Sequence, residues 1–309
     1  MGSFEVSGLW KTYPPGDPVL SDVSFRYDRP GAIGYLGPNG AGKTTTLKLL
    51  VGLLRPSQGH AYLNGIDPMA DRKGALWDVG AQIETPEPYP TLNVHEALDA
   101  VGRARGLSRD DVDREVDRCH ELLDLPPLGH RIGWLSKGQR QRVALAATLV
   151  GDPSVLLLDE PTSGLDPAER VLVRGLLNRL KRDHLILMSS HQMLEVTEVC
   201  DELIFLNHGR VVLRDKVDRV AHRIRPRQVD VEFERPVPPT ATETLLAAAE
   251  AVTPVTDRRW RVTFDGSDET RVRLLGLCQK VAPVVQFANT SLVLEEAYLE
   301  LVPKASEAT

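Results

Sequence analysis

The segment LGPNGAGKTTT, which begins at Leu36, limits the fold of this chain more than any other stretch of its sequence. It fits the pattern G-x-x-x-x-G-K-[ST], in which glycines let successive backbone N–H groups point towards one anion. The apolar run AIGYLG leads into it, and TTTLKLLVGLL follows it with helical spacing. A strand, a glycine loop and a helix in this order predict a nucleotide-binding loop in an α/β sheet, against the alternative of a chance glycine turn.

The residues of this loop predict direct contacts with phosphate groups. Lys43 supplies a positive charge for the β- and γ-phosphates, and the hydroxyl of Thr44 can reach Mg²⁺. The helix that follows presents its first N–H groups to the same anion. The ATP-binding residues predicted here are Gly37, Pro38, Asn39, Gly40, Ala41, Gly42, Lys43, Thr44 and Thr45.

A second acidic element follows the apolar run of SVLLLDE, which reads as a buried strand. Asp159 ends this strand, where a carboxylate can hold Mg²⁺ together with its water ligands. Glu160 follows at once and is well placed to deprotonate an attacking water, a role that is worth about 10² to 10⁴ in rate. A solvated strand end is the alternative for this acidic pair, but the glycine loop favours the catalytic interpretation.

Two further polar residues depend on context. His191 ends the buried strand of HLILMSS, and the carboxyl ends of parallel strands gather at one edge of a sheet, where the γ-phosphate would lie. A lone histidine is otherwise more often structural or on the surface. Gln82, in VGAQIE, carries no evidence of its own for either a functional or an ordinary role.

The order of these motifs resembles that of the ATP-binding subunits of ABC transporters. Along the chain it runs Tyr13, the phosphate loop at 37–45, Gln82, the signature LSKGQ at 135–139, the Walker B strand at 155–160, SGLD at 163–166 and His191. The resemblance covers about residues 4–215. It implies an α/β P-loop NTPase cassette over residues 1–220, with a RecA-like core, an antiparallel β subdomain and a helical subdomain at about 88–150.

Subunits of that family hold ATP between two cassettes, so the resemblance implies a second copy of this chain or a related one. It implies that Tyr13 stacks on the adenine ring. The implied catalytic residues are Glu160, His191, Lys43 and Gln82, and the implied Mg²⁺ ligands are Thr44, Gln82 and Asp159. The residues implied to act in trans, on ATP held by the partner, are Ser136, Lys137, Gly138, Gln139 and Asp166. Lys137 departs from the family pattern, which more often has glycine there (LSGGQ).

The pattern of predicted strands and helices changes after RIRPRQ. Alternating strand and helix patterns predict a small α+β domain over residues 225–303, with one helix opened by a capping box from Thr240 to Glu243. Its last helix is predicted in LVLEEAYLELV, before a flexible tail at 304–309. The ending TSLVLEEAYLELV is similar to that of ATP-binding subunits from multidrug, polyketide-antibiotic, copper-maturation and gliding-type exporters. A packing appendage without a ligand is the alternative.

The net charge and the length of the apolar runs disfavour some classes of function. The 309-residue chain has a net charge of −6, which argues against sequence-independent nucleic-acid binding. No apolar run approaches the roughly 20 residues that span a bilayer, so we expect another chain to supply the membrane part. We therefore expect a Mg²⁺-dependent ATPase subunit, peripheral on the cytoplasmic face of the cell membrane, that drives a separate integral membrane permease outward.

Two other functions stay open at this point. One is an importer ATPase with a regulatory C-terminal domain, since importer subunits share the cassette. The other is a soluble ABC-type ATPase that acts on nucleic acid or ribosomes, which the acidic charge disfavours. The sequence names no transported substrate.

Overall fold

The computed structural model of this chain describes residues 2–84, 89–223 and 227–289. Contacts within the chain divide it into two units, Met1–Val217 and Asp218–Thr309. The helix predicted in LVLEEAYLELV and the tail at 304–309 lie outside the described residues.

The first unit alternates strands and helices. Its strands are β1 (Phe4–Thr12), β2 (Pro18–Tyr27), β3 (Gly31–Leu36), β4 (Gln58–Leu63), β5 (Val79–Gln82), β6 (Val155–Asp159), β7 (Leu185–Ser190), β8 (Glu202–Asn207) and β9 (Arg210–Lys216). Its helices are α1 (Lys43–Leu50), α2 (Arg72–Leu76), α3 (Val94–Ala104), α4 (Arg109–Leu123), α5 (Lys137–Leu149), α6 (Pro167–Leu180) and α7 (Met193–Val199), and α8 (Val217–Arg223) begins where the unit ends.

Two sheets organise this unit. A six-stranded sheet has the order β5-β6-β7-β3-β8-β9, in which only β9 is antiparallel to its neighbour. An antiparallel sheet has the order β2-β1-β4. The α/β cassette layout expected from the sequence, with an antiparallel β part, is therefore confirmed.

The buried strands explain why the larger sheet forms. Every residue of β6 and β7 is buried, as expected for central strands of a parallel sheet that is covered on both faces. Their side chains are mostly leucine, isoleucine, valine and methionine, with polar residues only at the carboxyl ends. The sheet thus carries polar groups to one edge, where β3, β6 and β7 end side by side.

Helices α3, α4 and α5 come between β5 and β6 in the sequence, and they pack against one another. The helix predicted over DDVDREVDRCHELLDL forms as α4, and it buries the four residues that the helical spacing selected: Val112, Val116, Cys119 and Leu123. Because these residues recur every three or four positions, they share one helical face. A capping box at Asn93 and Glu96 starts α3.

The second unit contains one antiparallel sheet. Its elements in order are β10 (Gln228–Phe233), α9 (Thr242–Leu246), β11 (Ala251–Pro254), β12 (Arg259–Thr263), α10 (Asp268–Val281) and β13 (Val284–Asn289). The strand order β11-β12-β10-β13 with this βαββαβ succession is that of a ferredoxin-like fold. Trp260, Phe233 and Phe264 lie in its core.

One detail predicted for this unit is wrong. Thr240 does not cap a helix with Glu243, because a 3₁₀ turn occupies Pro239–Ala241 and α9 begins only at Thr242. The first helical residue follows Ala241, which has no side-chain acceptor, and the hydroxyl of Thr242 donates instead to the carbonyl of Pro239 at 2.7 Å. Proline favours the first position of a helical turn, so the chain turns earlier than the capping pattern indicated.

Within the described residues, no helix has both the length and the apolar character needed to cross a bilayer.

Candidate nucleotide site

The loop between β3 and α1 lies at the polar edge of the six-stranded sheet. The N–H of Gly37 donates to the carbonyl of Ser190 at the end of β7, which ties the start of the loop to the sheet. A Cβ atom at Gly37 would lie 2.3 Å from the carbonyl oxygen of Leu206, so only glycine fits there. The loop is therefore held at the point where the strand ends converge.

Lys43 folds back over this loop. Its Nζ atom donates to the carbonyl oxygens of Gly37 at 2.8 Å and Pro38 at 3.2 Å, and only 6% of its side chain is exposed. Burial lowers the pKa of Lys43, while the nearby Glu160 and Asp159 carboxylates oppose that shift. An anion placed in the loop would thus meet a desolvated cation that is already positioned, which strengthens their attraction.

Asp159 is fixed by donors from three parts of the chain. The Thr44 hydroxyl donates to its Oδ2 atom at 2.8 Å, and the Ser189 hydroxyl donates to its Oδ1 atom at 2.5 Å. The backbone N–H of Glu84 also approaches Oδ2, at 3.3 Å. The carboxylate is 6% exposed, so its orientation is set by these contacts rather than by solvent.

The residues of this corner fit Mg²⁺. Gln82 ends β5 beside Leu158 of β6, is 2% exposed, and its Oε1 atom has no hydrogen-bond partner among the described residues. A buried acceptor without a partner is costly, and a bound cation or its water would relieve that cost. The Thr44 hydroxyl, the Asp159 carboxylate and the Gln82 amide oxygen are the hard oxygen ligands that Mg²⁺ prefers.

Glu160 stands between two other predicted residues. Its carboxylate lies 3.7 Å from Nζ of Lys43, and both of its oxygens lie 3.1 Å from Nδ1 of His191. Its backbone N–H donates to the side chain of Ser189 at 3.0 Å. Glu160 has a φ angle of +47°, a left-handed conformation that is uncommon for a residue with a side chain and that concentrates at functional sites.

The residues expected to act in trans lie at the starts of α5 and α6. Ser136 caps α5 by accepting a bond from the N–H of Gln139 at 3.1 Å, and the Gln139 side chain accepts one from the N–H of Ser136 at 2.9 Å. Asp166 caps α6 in the same way, by accepting from the N–H of Glu169 at 2.9 Å. Ser136, Lys137 and Asp166 are all exposed.

Close approaches join these two helix starts. A Cβ atom at Gly138 would lie 1.5 Å from the Oε1 atom of Glu169, so a side chain at this position would displace that carboxylate. The Nζ atom of Lys137 lies against Gly164, within 1.9 Å of where a Cβ of Gly164 would be. The exposed residues of the signature LSKGQ and of the SGLD loop therefore lie side by side.

Tyr13 is the residue predicted to stack on the adenine ring. It follows β1 in the loop that leads to β2, its side chain is 44% exposed, and Nζ of Lys11 lies 4.9 Å from its ring centre. The ring is accessible to a flat ligand, as its predicted role requires.

Ser189 is the site residue that the sequence reasoning missed. It bonds both to the carboxylate of Asp159 and to the backbone of Glu160. Its position two residues before His191 at a strand end is the only signal that the sequence offered, and a serine there is too common to be informative.

Comparison with known proteins places this chain in one family. The chain matches the family model described as ABC transporter over residues 20–163, and a model described as AAA domain, putative AbiEii toxin, Type IV TA system over residues 130–197. It is 34% identical to the ABC transporter ATP-binding protein NatA of Bacillus subtilis (strain 168), over 70% of this chain and 89% of that protein.

Two other relatives and one solved structure bear on function. The chain is 36% identical to the doxorubicin resistance ATP-binding protein DrrA of Mycobacterium tuberculosis (strain ATCC 25618 / H37Rv), over 71% of this chain and 67% of DrrA. It is 34% identical to the energy-coupling factor transporter ATP-binding protein EcfA2 of Caldanaerobacter subterraneus subsp. tengcongensis, over 63% of this chain and 71% of EcfA2. A solved structure of the ATP binding subunit of an ABC transporter superimposes with a TM-score of 0.65 at 30% identity, covering 71% of this chain and 92% of that one.

Proposed function

This chain belongs to the ABC transporter ATP-binding family, and we propose that it drives a separate membrane permease outward by closing a dimer of cassettes around ATP. It is an ATP-hydrolysing transporter subunit, like the family to which it belongs. Glu160, which follows Asp159, contacts both Lys43 and His191. These two contacts are the observation that carries the proposed hydrolytic mechanism. The similarity to DrrA supports the outward direction.

The proposed reaction is in-line hydrolysis of the γ-phosphate. Water attacks the γ-phosphorus, the bond to the β–γ bridging oxygen breaks, and Glu160 accepts the proton that the water loses. Lys43 and the N–H groups of the loop bind the phosphate oxygens, where negative charge is held in the transition state. His191 contacts both carboxylate oxygens of Glu160 through its Nδ1 atom and would hold that carboxylate in place.

We assign the Mg²⁺ ligands to Thr44, Asp159 and Gln82, on the donor geometry described above. The ion would supply positive charge against the phosphates. Ser189 positions both Asp159 and Glu160, so the metal side and the base side of the site share one support.

The second half of each site would come from another cassette. Ser136, Gly138 and Gln139 start α5, and a helix start offers free N–H groups to an anion. Ser136 and Lys137 are exposed and Gln139 is half-buried, so this helix start is accessible to ATP that is bound on the loop of a second molecule. We propose that the second cassette is a copy of this chain, since both halves of the site are present in it.

A mostly apolar groove in the first unit supports a permease partner. It has a volume of about 710 Å³ and is lined by residues that include Leu53, Val79, Leu92 and Ala97. Gln82 belongs both to this groove and to the proposed Mg²⁺ corner. We propose that a cytoplasmic helix of the permease packs here, because motion of that helix would then reach the nucleotide through Gln82.

The hydrolytic assignment is tested with Glu160→Gln. The variant should bind ATP normally and hydrolyse it about 10² to 10⁴ times more slowly, because it loses the proton acceptor and keeps the shape of the side chain. Glu198→Gln is the matched control: Glu198 lies on α7, where it pairs with Arg174 rather than with the strand edge. Hydrolysis at the normal rate by Glu160→Gln would show that the base is another residue.

The transport assignment is tested by co-purification. Tagged Glu160→Gln protein is isolated from native membranes in mild detergent with ATP and Mg²⁺, conditions that should hold the closed dimer on its partner. We expect a multi-span membrane protein in stoichiometric amount, and Leu53→Ser should reduce its recovery. Leu53 is 52% exposed, so this change should leave the fold intact. Recovery of ribosomes or nucleic acid instead would assign the ATPase to the soluble class.

The similarity to EcfA2 leaves the importer alternative open, so the direction of transport needs its own test. Once the permease is identified, inside-out vesicles containing both proteins separate the two directions. ATP-dependent accumulation of substrate inside such vesicles is the result expected for an exporter. ATP-dependent loss from preloaded vesicles would identify an importer.

A further inference from the structure

Trp134 is a large apolar side chain that the fold leaves in solvent. Its side chain is 79% exposed, although it belongs to an ordered 3₁₀ turn, Ile132–Trp134. The backbone N–H of Trp134 donates to the carbonyl of Arg131 at 3.0 Å. The guanidinium carbon of Arg131 lies over the indole, 5.7 Å from the ring centre. A cation over one face of the indole leaves the other face available to a planar partner.

The position of Trp134 relates it to the start of α5. It lies two residues before Ser136, and both Leu135 and Ser136 have extended backbone conformations. Two extended residues span at most about 7 Å, so the indole lies close to the helix start. If α5 receives the γ-phosphate of ATP held by a second molecule, an exposed aromatic group this close to α5 is available to the base of the same ATP.

We propose that Trp134 stacks on the adenine of the ATP bound by the partner cassette, opposite Tyr13 of that cassette. This assignment rests on the proposed function, because it needs the two-cassette arrangement. Each adenine would then lie between two aromatic rings, one from each copy. Stacking of a base on an aromatic side chain is favourable for every base and strongest for large ring systems such as indole with a purine. Trp134 is therefore a positioning residue that links nucleotide binding to dimer closure.

Fluorescence gives a readout that a structural role would not change. The chain has four tryptophans, and Trp77 is a second exposed one, at 62%. In the Glu160→Gln background, saturating ATP should quench fluorescence when the dimer forms. Because the proposal assigns this quench to the Trp134 indole, it should disappear in Glu160→Gln/Trp134→Phe. It should persist in the control Glu160→Gln/Trp77→Phe. On dilution at saturating ATP, the quench should follow the fraction of dimer rather than the fraction of bound nucleotide.

Dimer affinity gives the second readout. In the same background, Trp134→Ala should weaken ATP-dependent dimerisation at least about tenfold, as expected from the loss of base stacking. ATP affinity of the dilute monomer should stay unchanged, since Trp134 acts only across the dimer. Trp134→Phe should retain most of the dimer affinity, because it keeps an aromatic face. Because the Trp134 side chain is widely exposed, these variants should fold normally, which circular dichroism checks.

The outcomes separate this proposal from the one on which it rests. Normal ATP-dependent dimerisation of Trp134→Ala overturns the stacking assignment alone. A quench that follows nucleotide binding to the dilute monomer also overturns it, because the indole would then contact ATP within one chain. Failure of the Glu160→Gln parent to dimerise with ATP overturns the proposed function, and the stacking assignment with it.

Discussion

The polar edge of the six-stranded sheet and the starts of α5 and α6 are two halves of one proposed site, but they are built differently. At the sheet edge, polar side chains bond to one another: Thr44 and Ser189 to Asp159, and His191 to Glu160. At the helix starts, the side chains of Ser136 and Asp166 accept bonds from the N–H groups of their own helices and stay exposed.

The difference has a physical origin. Thr44 and Asp159 are separated by 115 positions in sequence, so their contact exists only because the whole sheet has formed. The bond between Ser136 and Gln139 spans three positions and needs only one helical turn. In the proposed site, the sheet edge is therefore preorganised for phosphate within one chain, whereas the helix starts would acquire a ligand only when a second molecule arrives.

Lys43→Met should produce the largest loss of ATP affinity among these variants, because it removes the cation at the centre of the preorganised half. Methionine preserves most of the buried volume and loses the charge-assisted bonds to phosphate, so ATP affinity should fall at least about a hundredfold. Equilibrium binding of a fluorescent ATP analogue to the monomer measures this.

The control for this change is Lys48→Met on the same helix. Lys48 pairs with the exposed Glu84, and surface ion pairs contribute about 0–1 kcal/mol, so ATP binding should barely change. If Lys43→Met bound ATP as tightly as Lys48→Met, the sheet edge would not be the phosphate site.

Ser136→Ala should produce an intermediate effect, confined to the other half. The variant loses a helix cap, worth about 1 kcal/mol, and an exposed donor that the proposal assigns to the partner's ATP. ATP binding to the monomer should stay normal, while ATP-dependent dimerisation should weaken about tenfold, which analytical ultracentrifugation in the Glu160→Gln background measures.

Ser108→Ala separates capping from ligand binding. Ser108 caps α4 by accepting a bond from the N–H of Asp111, so Ser108→Ala removes a comparable helix cap from a different helix. Equal weakening of the dimer by Ser108→Ala and Ser136→Ala would show that Ser136 only stabilises its helix.

Most of the sheet edge could be predicted from sequence, because short motifs mark it. Lys43, Asp159, Glu160 and His191 each follow a buried-strand pattern, and parallel strands bring their carboxyl ends to one edge. Ser189 could not be predicted. Its role depends on the register that sets Asp159 beside it in the neighbouring strand, and nothing local in the sequence states that register.

The second unit shows the same limit in its fold. Strands β10 and β12 alternate apolar and polar residues, a pattern that predicts a strand, and they bury Val229, Val231, Trp260 and Val262. Strand β11 was not predicted, since none of its four residues is buried and Pro254 ends it. It joins the edge of the sheet through a hairpin with β12, so its strand conformation rests on backbone pairing rather than on a buried face.

Lys137→Gln should produce the smallest effect, and it sharpens the comparison by testing charge rather than structure. The Nζ atom of Lys137 lies on the exposed surface against Gly164, where the proposed dimer would bring it towards the partner's γ-phosphate. Its removal should weaken the ATP-dependent dimer about threefold in low salt, and the loss should shrink as salt rises from about 0.05 to 0.5 M. Lys181→Gln changes the net charge equally but at the far end of α6, where Lys181 pairs with Asp201, so it should leave the dimer unchanged. A tighter dimer in Lys137→Gln would mean that the lysine meets positive charge on the partner, and the helix starts would then need another orientation towards ATP.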